Sequence, residues 1–110
     1  CTTSLAVQSR HLQHSGQVHA GVLTTMADHT AGAAAQTLAP EGMFVATVEL
    51  KISLLRPPKG ERLVCRGRVL KPGRQLSFVE AEVHCVEGGK EHLVAKVSAT
   101  MTMISQKNLV

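Results

Sequence analysis

Apolar and polar residues alternate with a period of two through most of the carboxyl-terminal half. Phe44, Ala46, Val48, Leu50, Ile52 and Leu54 are apolar, with Thr47, Glu49, Lys51 and Ser53 between them. That period predicts a long strand with one face on a core, ended by Pro57-Pro58-Lys59-Gly60. Leu63 to Leu70 reads as the next strand, and Lys71-Pro72-Gly73-Arg74 as a turn. From Ser77 to Cys85, Val79, Ala81, Val83 and Cys85 face one way, Glu80, Glu82 and His84 the other. Gly88-Gly89 predicts a tight hairpin. Leu93, Ala95, Val97, Ala99, Met101 and Met103 then alternate with Lys96, Ser98, Thr100 and Thr102. Four consecutive strands with short connections predict an antiparallel meander, and Cys1 to Val7 reads as an edge strand.

The period changes in the amino-terminal half, where a helix is predicted from Gly21 to Ala39, stopped by Pro40. Leu23, Ala27, Ala31, Ala34 and Leu38 make an apolar stripe that Val22, Met26 and Ala33 widen. The rest is small: Gly21, Thr25, Asp28, Gly32 and Ala35. A helix that is apolar or small nearly all round is buried. An antiparallel sheet with one apolar face and a single long helix solve each other's burial, so the fold class is α+β, a curved sheet wrapped around one helix.

Composition narrows the picture. The chain has 110 residues, 44% of them apolar, which suits one domain spanning 1–110. With two Phe and no Trp or Tyr, the core must be built from aliphatic residues and alanine. The net charge of +4 carries neither a basic helical stripe nor stacking residues, so nucleic acid is not an expected partner. No apolar run reaches the roughly 20 residues that span a bilayer, so no membrane is expected. Cys1, Cys65 and Cys85 lack CxxC spacing and read as reduced thiols of a cytoplasmic protein. The first residue is Cys1 rather than Met, so a missing native amino terminus is expected.

Asp28 is the informative residue, the one acidic or basic side chain between Gly21 and Ala39 apart from histidine. A carboxylate on a buried helix is costly unless it is partnered or used. Ahead of the helix, His11, Gln13, His14, Gly16 and His19 form a polar loop leading to Ala20-Gly21. The first N–H groups of a helix lack intrahelical acceptors and carry partial positive charge, a place for an oxyanion. Ala20 and Asp28 are two turns apart, and are expected to address opposite sides of one carbonyl. The spacing of His11, His14 and His19 fits no standard zinc motif, so no metal is expected. Cys65 and Cys85 fall on apolar strand faces, where thiols are inert. Arg56, Lys59, Lys71 and Arg74 sit at two turns, as solvated cations or as a grip on phosphates.

The stretch His11-Leu-Gln-His-Ser-Gly-Gln-Val-His-Ala-Gly-Val-Leu-Thr-Thr-Met-Ala-Asp28 resembles the active-site segment of hotdog-fold acyl-CoA thioesterases. The similarity is to the phenylacetate-degradation branch of the 4-hydroxybenzoyl-CoA thioesterase superfamily. Its pattern runs Asn or Gln, His-Gly-Gly or His-Ala-Gly, then a helix with Asp eight residues beyond the first small residue. Val45 to Pro57 and Lys71 to Phe78 match as well, so the resemblance covers nearly the whole chain.

The resemblance implies a hotdog fold and hydrolysis of an acyl-CoA, aryl or medium-chain, without cofactor or metal. Asp28 would be general base or nucleophile, Ala20 the oxyanion N–H donor, and Gln13 the residue that orients water or carbonyl. His19 would brace the loop. Thr47 would reach the site from a neighbouring subunit and hold the water. Gly21, Arg56, Lys71 and Arg74 would contact substrate, the cations holding the CoA phosphates. A homodimer or homotetramer with intersubunit sites follows, and a long bare edge strand also needs a partner. Two positions depart from the pattern: Ala20 replaces the commoner Gly, and Gln13 replaces Asn. The alternative function is a non-catalytic acyl-CoA-binding or sensing module on the same fold; a hotdog dehydratase or hydratase would need a His–carboxylate loop arrangement not found here.

Overall fold

In the computed structural model, which describes residues 1–108, the alternating segments form one five-stranded antiparallel sheet. Its strands are β1 (Thr2–Ala6), β2 (Met43–Leu54), β3 (Arg62–Lys71), β4 (Leu76–Glu87) and β5 (Lys90–Ser105). The long helix α1 (Ala20–Gln36) packs on one face of that sheet. The expected α+β arrangement is present.

The strand order is β1-β3-β4-β5-β2, which corrects the meander. Only β3, β4 and β5 are joined as successive neighbours; β2 pairs with β5 and forms the far edge. Residues 55–61 therefore cross from one side of the sheet to the other. That crossing is held by Leu55 N–H to the Val94 carbonyl (2.8 Å), Val18 N–H to Pro58 (3.1 Å) and Val7 N–H to Glu61 (2.9 Å). Alternation reports which face a residue takes but not which strand lies beside it.

Two bulges also correct the facing of residues. In β2 the register to β5 slips between Thr47 and Glu49, leaving Val48 without a partner. An extra residue inverts the facing on one side of it. Leu50 and Ile52 pack on the core as expected, but before the bulge Val45 and Thr47 take the helix side of β2 while the side chains of Phe44 and Val48 are exposed. A second slip, between Val83 and His84, leaves Val94 unpaired and fully buried beside Ala95. The hairpin at Gly88-Gly89 is as expected, with φ of 60° and 83°, values that glycine adopts without Cβ strain.

Alanine sets how closely α1 lies on the sheet. Leu23, Ala27, Ala31, Ala34 and Ala35 pack against Leu63 and Cys65 of β3, Val79, Ala81 and Val83 of β4, and Ala95, Val97, Ala99 and Met101 of β5. Thr30 is buried among them and bonds back to the Met26 carbonyl (2.8 Å). The helix comes close at Gly67 on β3, where an added Cβ would stand 3.0 Å from the Thr30 carbonyl oxygen.

The helix differs from expectation at its end and on its open side. It stops at Gln36, capped by Thr37, whose hydroxyl donates to the Ala34 carbonyl (2.6 Å). The next two N–H groups make tighter i→i−3 bonds, so Leu38 leaves the stripe and is 55% exposed. Ala35 is buried, whereas Gly21, Thr25 and His29 face outward. One flank of α1 is thus open in the single chain. Among the described residues no helix is long and apolar enough to cross a membrane.

Candidate active site

The loop before α1 is folded on itself. Gln13 N–H donates to the Gln17 carbonyl (2.8 Å), Gly16 N–H to that of Gln13 (2.9 Å), and Leu12 bridges to Val18. His19 N–H then donates to the His11 carbonyl (2.9 Å), and the His19 carbonyl accepts from Val22 and Leu23. His19 is the N-cap and gives no side-chain cap, so its main chain, not its imidazole, braces the turn. Among the described residues, the Ala20 and Gly21 N–H groups have no acceptor. Gln13, Ala20 and Arg56 line one depression of about 320 Å³ at the start of α1, completed by Gln17 and Pro57. Sequence reasoning placed these three in one site, and the fold brings them together.

Asp28 lies in a second groove, also about 320 Å³, between α1 and β2, with His29, Gly32, Ala33, Gln36, Val45, Thr47 and Met101. The Thr47 hydroxyl donates to Asp28 Oδ1 at 2.6 Å. The second carboxylate oxygen accepts no hydrogen bond among the described residues. Asp28 is half-buried and faces the groove. The helix supplies the carboxylate, and the bulge at Val48 supplies the hydroxyl, by turning Thr47 to the helix side of β2. The hydroxyl and the carboxylate come from the same chain.

Ala20 and Asp28 stand apart on the helix. Eight residues of helix separate them by about 12 Å along the axis and about 80° around it. Helix N–H groups point toward the amino terminus, so an oxygen bound at Ala20 lies beyond the helix, farther still from Asp28. Within one chain the two do not flank a single carbonyl. The basic residues divide likewise. Arg56 lies beside Ala20, whereas Arg74 lines a depression with Leu38 and Pro40 past the other end of the roughly 25 Å helix, and Lys71 closes β3 next to it. Gly21 lines a third groove of about 600 Å³, between α1 and β1, with His11 and His29.

Sequence reasoning passed over His29 and Gln36. His29 follows Asp28 directly and lines grooves on both flanks of the helix. Its adjacency to Asp28 was a signal available in the sequence; that of Gln36 was not, because only the fold brings it to β2. The remaining candidates are less suited to chemistry. Cys65 is buried, and burial pushes its thiol upward. Cys85 is buried too. His11, His14 and His19 do not gather into a metal-holding group among the described residues. Arg56 Nη1 contacts His92 Nδ1 at 3.1 Å, so that ring nitrogen is the acceptor.

The arrangement has the parts for hydrolysis at an activated carbonyl. It offers a carboxylate with one oxygen fixed and one free, and an unpaired pair of helix N-terminal amides. Comparison with known proteins agrees in kind. The sequence pattern of the thioesterase superfamily matches residues 15–92. A Caenorhabditis elegans protein named "putative esterase" is 39% identical over 88 residues, 78% of this chain and 51% of that protein. The chain spans about half the length of the curated relatives it matches first. A thioesterase family protein from Silicibacter pomeroyi has a TM-score of 0.93 at 34% identity, over 94% of this chain and 76% of that one. A Streptococcus mutans protein solved bound to acetyl-CoA has a TM-score of 0.80 at 25% identity, over 94% and 80%. The five-stranded sheet around α1 is the hotdog fold, and the chain belongs to the thioesterase superfamily.

Proposed function

We propose that this chain, read as one domain over 1–110, hydrolyses acyl-CoA thioesters to CoA and a free acid, without cofactor or metal. The observation that carries the reading is the Asp28 carboxylate, held on one oxygen by Thr47 and open to a groove on the other. Asp28 acts as general base. A water oxygen attacks the thioester carbon as its proton passes to the free carboxylate oxygen. The carbonyl oxygen gathers charge on the Ala20 N–H, with Gly21 beside it and the helix dipole adding to the stabilisation. The C–S bond then breaks and the CoA sulfur takes up the proton. Gln13 orients the carbonyl or the water, and the His19 main chain holds the amide in place.

The distance between Ala20 and Asp28 supports their coming from different copies of one site. A second copy, added about a twofold axis across the edge of β2 beyond the start that Gln36 holds, runs its α1 antiparallel to the first. That brings the amide end of one helix toward the carboxylate of the other. The twofold also moves Lys71 and Arg74 of one copy toward Arg56 of the other, which gathers cations for the CoA phosphates. A homodimer is the minimal unit, and a homotetramer of such dimers is consistent with it. Acetyl-CoA bound by the Streptococcus mutans neighbour supports CoA as the carrier. The segment from His11 to Asp28 supports the phenylacetate-degradation branch, with aryl or medium-chain acyl groups, and the free thiols suit the cytoplasm.

The test is thiol release from a panel of aryl, short, medium and long acyl-CoAs. Turnover of at least one class, lost on Asp28→Asn in a protein that still folds, is expected. Tight binding without release would replace this reading with a non-catalytic acyl-CoA-binding module.

A further inference from the structure

Gln36, the last residue of α1, bonds the main chain of β2 at two points. Its Nε2 donates to the Met43 carbonyl at 2.9 Å, and its Oε1 accepts from Val45 N–H at 3.0 Å. Residues two apart in a strand present their main-chain groups on the same side. Gln36 therefore takes the two groups that another strand would take from this edge of the sheet. Its amide substitutes for a peptide group of a missing neighbour.

The position of this clip gives it consequence. Thr47 lies two residues beyond Val45, and directly after Thr47 the ladder to β5 is broken by the bulge at Val48. A bulged strand at a sheet edge bends easily, since one of its residues is unpaired. Among the described residues, three hydrogen bonds join α1 to β2: the two from Gln36 and the one from Thr47 to Asp28. Gln36 also lines the Asp28 groove. The helix thus grips the strand two residues before the hydroxyl that must meet its carboxylate.

We propose that Gln36 is a positioning residue that fixes the start of β2 against α1 and so sets Thr47 against Asp28. It acts through Thr47 and touches no reacting atom. Its kinetic consequence rests on the thioesterase reading above; its structural consequence does not. The fit is chemical as well as geometric, because a primary amide carries the one donor and one acceptor the edge requires. Glutamate keeps an acceptor for Val45 but turns a second acceptor on the Met43 carbonyl. Methionine keeps the length and offers neither.

The experiment compares Gln36→Met, Gln36→Glu, Thr47→Val and the Gln36→Met/Thr47→Val double variant. Thiol release is assayed on the best acyl-CoA, alongside NMR of the amides and threonine methyls. Gln36→Met is expected to lower kcat about tenfold with KM within about twofold, and Gln36→Glu to fall between it and wild type. In the Thr47→Val background, Gln36→Met is expected to lower kcat no further. An equal loss in both backgrounds, or none in either, overturns the proposal. Independently of turnover, the Val45 amide is expected to exchange slowly in the wild type and fast in Gln36→Met, with the Thr47 methyl shifting. An unmoved Thr47 signal in Gln36→Met overturns the proposal even if no acyl-CoA is hydrolysed. Absent hydrolysis by the wild type overturns the thioesterase reading alone.

Discussion

The two edge strands of the sheet each send one threonine hydroxyl to α1, and the two contacts behave differently. From β1, Thr3 meets Thr30 at 2.6 Å; from β2, Thr47 meets Asp28 at the same distance. Positions 28 and 30 fall on opposite flanks of the helix, since two residues turn it through about 200°. On the β1 flank Thr30 is fully buried, and its hydroxyl also bonds the Met26 carbonyl. On the β2 flank the carboxylate has an oxygen to spare and a groove in front of it. A buried polar group whose bonds are all made contributes to stability and specificity. One left incompletely satisfied at a cleft has capacity for chemistry. On the function proposed above, the same hydroxyl–helix contact is structural on one side of α1 and serves the chemistry on the other.

Substitutions on the two flanks should therefore separate activity from stability. The largest effect is expected from Asp28→Asn, which retains the shape and the contact with Thr47 but removes the base. kcat should fall by about 10²- to 10⁴-fold in thiol-release assays while the thermal midpoint moves little. An unchanged kcat would make the β2 flank as structural as the other. Gly67→Ala comes next, beside Thr30. Its new Cβ meets the Thr30 carbonyl oxygen at 3.0 Å, so the helix must shift, at a cost of about 1–3 kcal/mol in urea unfolding.

A matched pair sharpens the contrast further. Thr30→Val leaves the Thr3 hydroxyl without its partner and should lower stability by about 1–2 kcal/mol with kcat unchanged. Thr47→Val should do the reverse, lowering kcat about tenfold with little change in melting. The smallest effect concerns acid, on the outer face away from both flanks. The guanidinium of Arg68, with Lys96 nearby, holds the Glu80 carboxyl below the usual carboxylate range. Arg66, which grips Glu91 through two hydrogen bonds at 2.9 and 3.1 Å, lowers that carboxyl in the same way. Because the folded-state values are depressed, this stabilisation is present above about pH 4.3 and is lost as pH falls through the lower folded values. Melting between pH 3 and 6 should show that loss, and Glu80→Gln should flatten the curve slightly, as suits exposed pairs.

Legibility in the sequence followed the range of the forces involved. The strands were readable because a period of two is a local consequence of one buried face, and the helix because Leu23, Ala27, Ala31 and Ala34 recur with its turn. Asp28 stood out as a lone carboxylate among small residues. Misreadings gathered where a single residue broke the period. The bulge at Val48 reversed the facing of Phe44 and Thr47, and the tightened turn after Gln36 put Leu38 into solvent. Nothing in the order of side chains announces an unpaired strand residue, because the bulge costs one ladder contact and gains a packing arrangement that only neighbouring strands define.

Periodicity and residue type alone determined that this chain folds as a sheet around one Ala-rich helix, with a carboxylate on that helix and free amides at its start. Those features are local, decided by the burial of each segment's apolar face. Tertiary structure decided that β2 lies beside β5, that Thr47 turns to Asp28, that Gln36 clips the edge and that Ala20 and Asp28 of one chain stand apart. Each depends on which strand meets which across the sheet. Contacts between residues distant in sequence are chosen by the packing of the whole domain rather than by any segment within it.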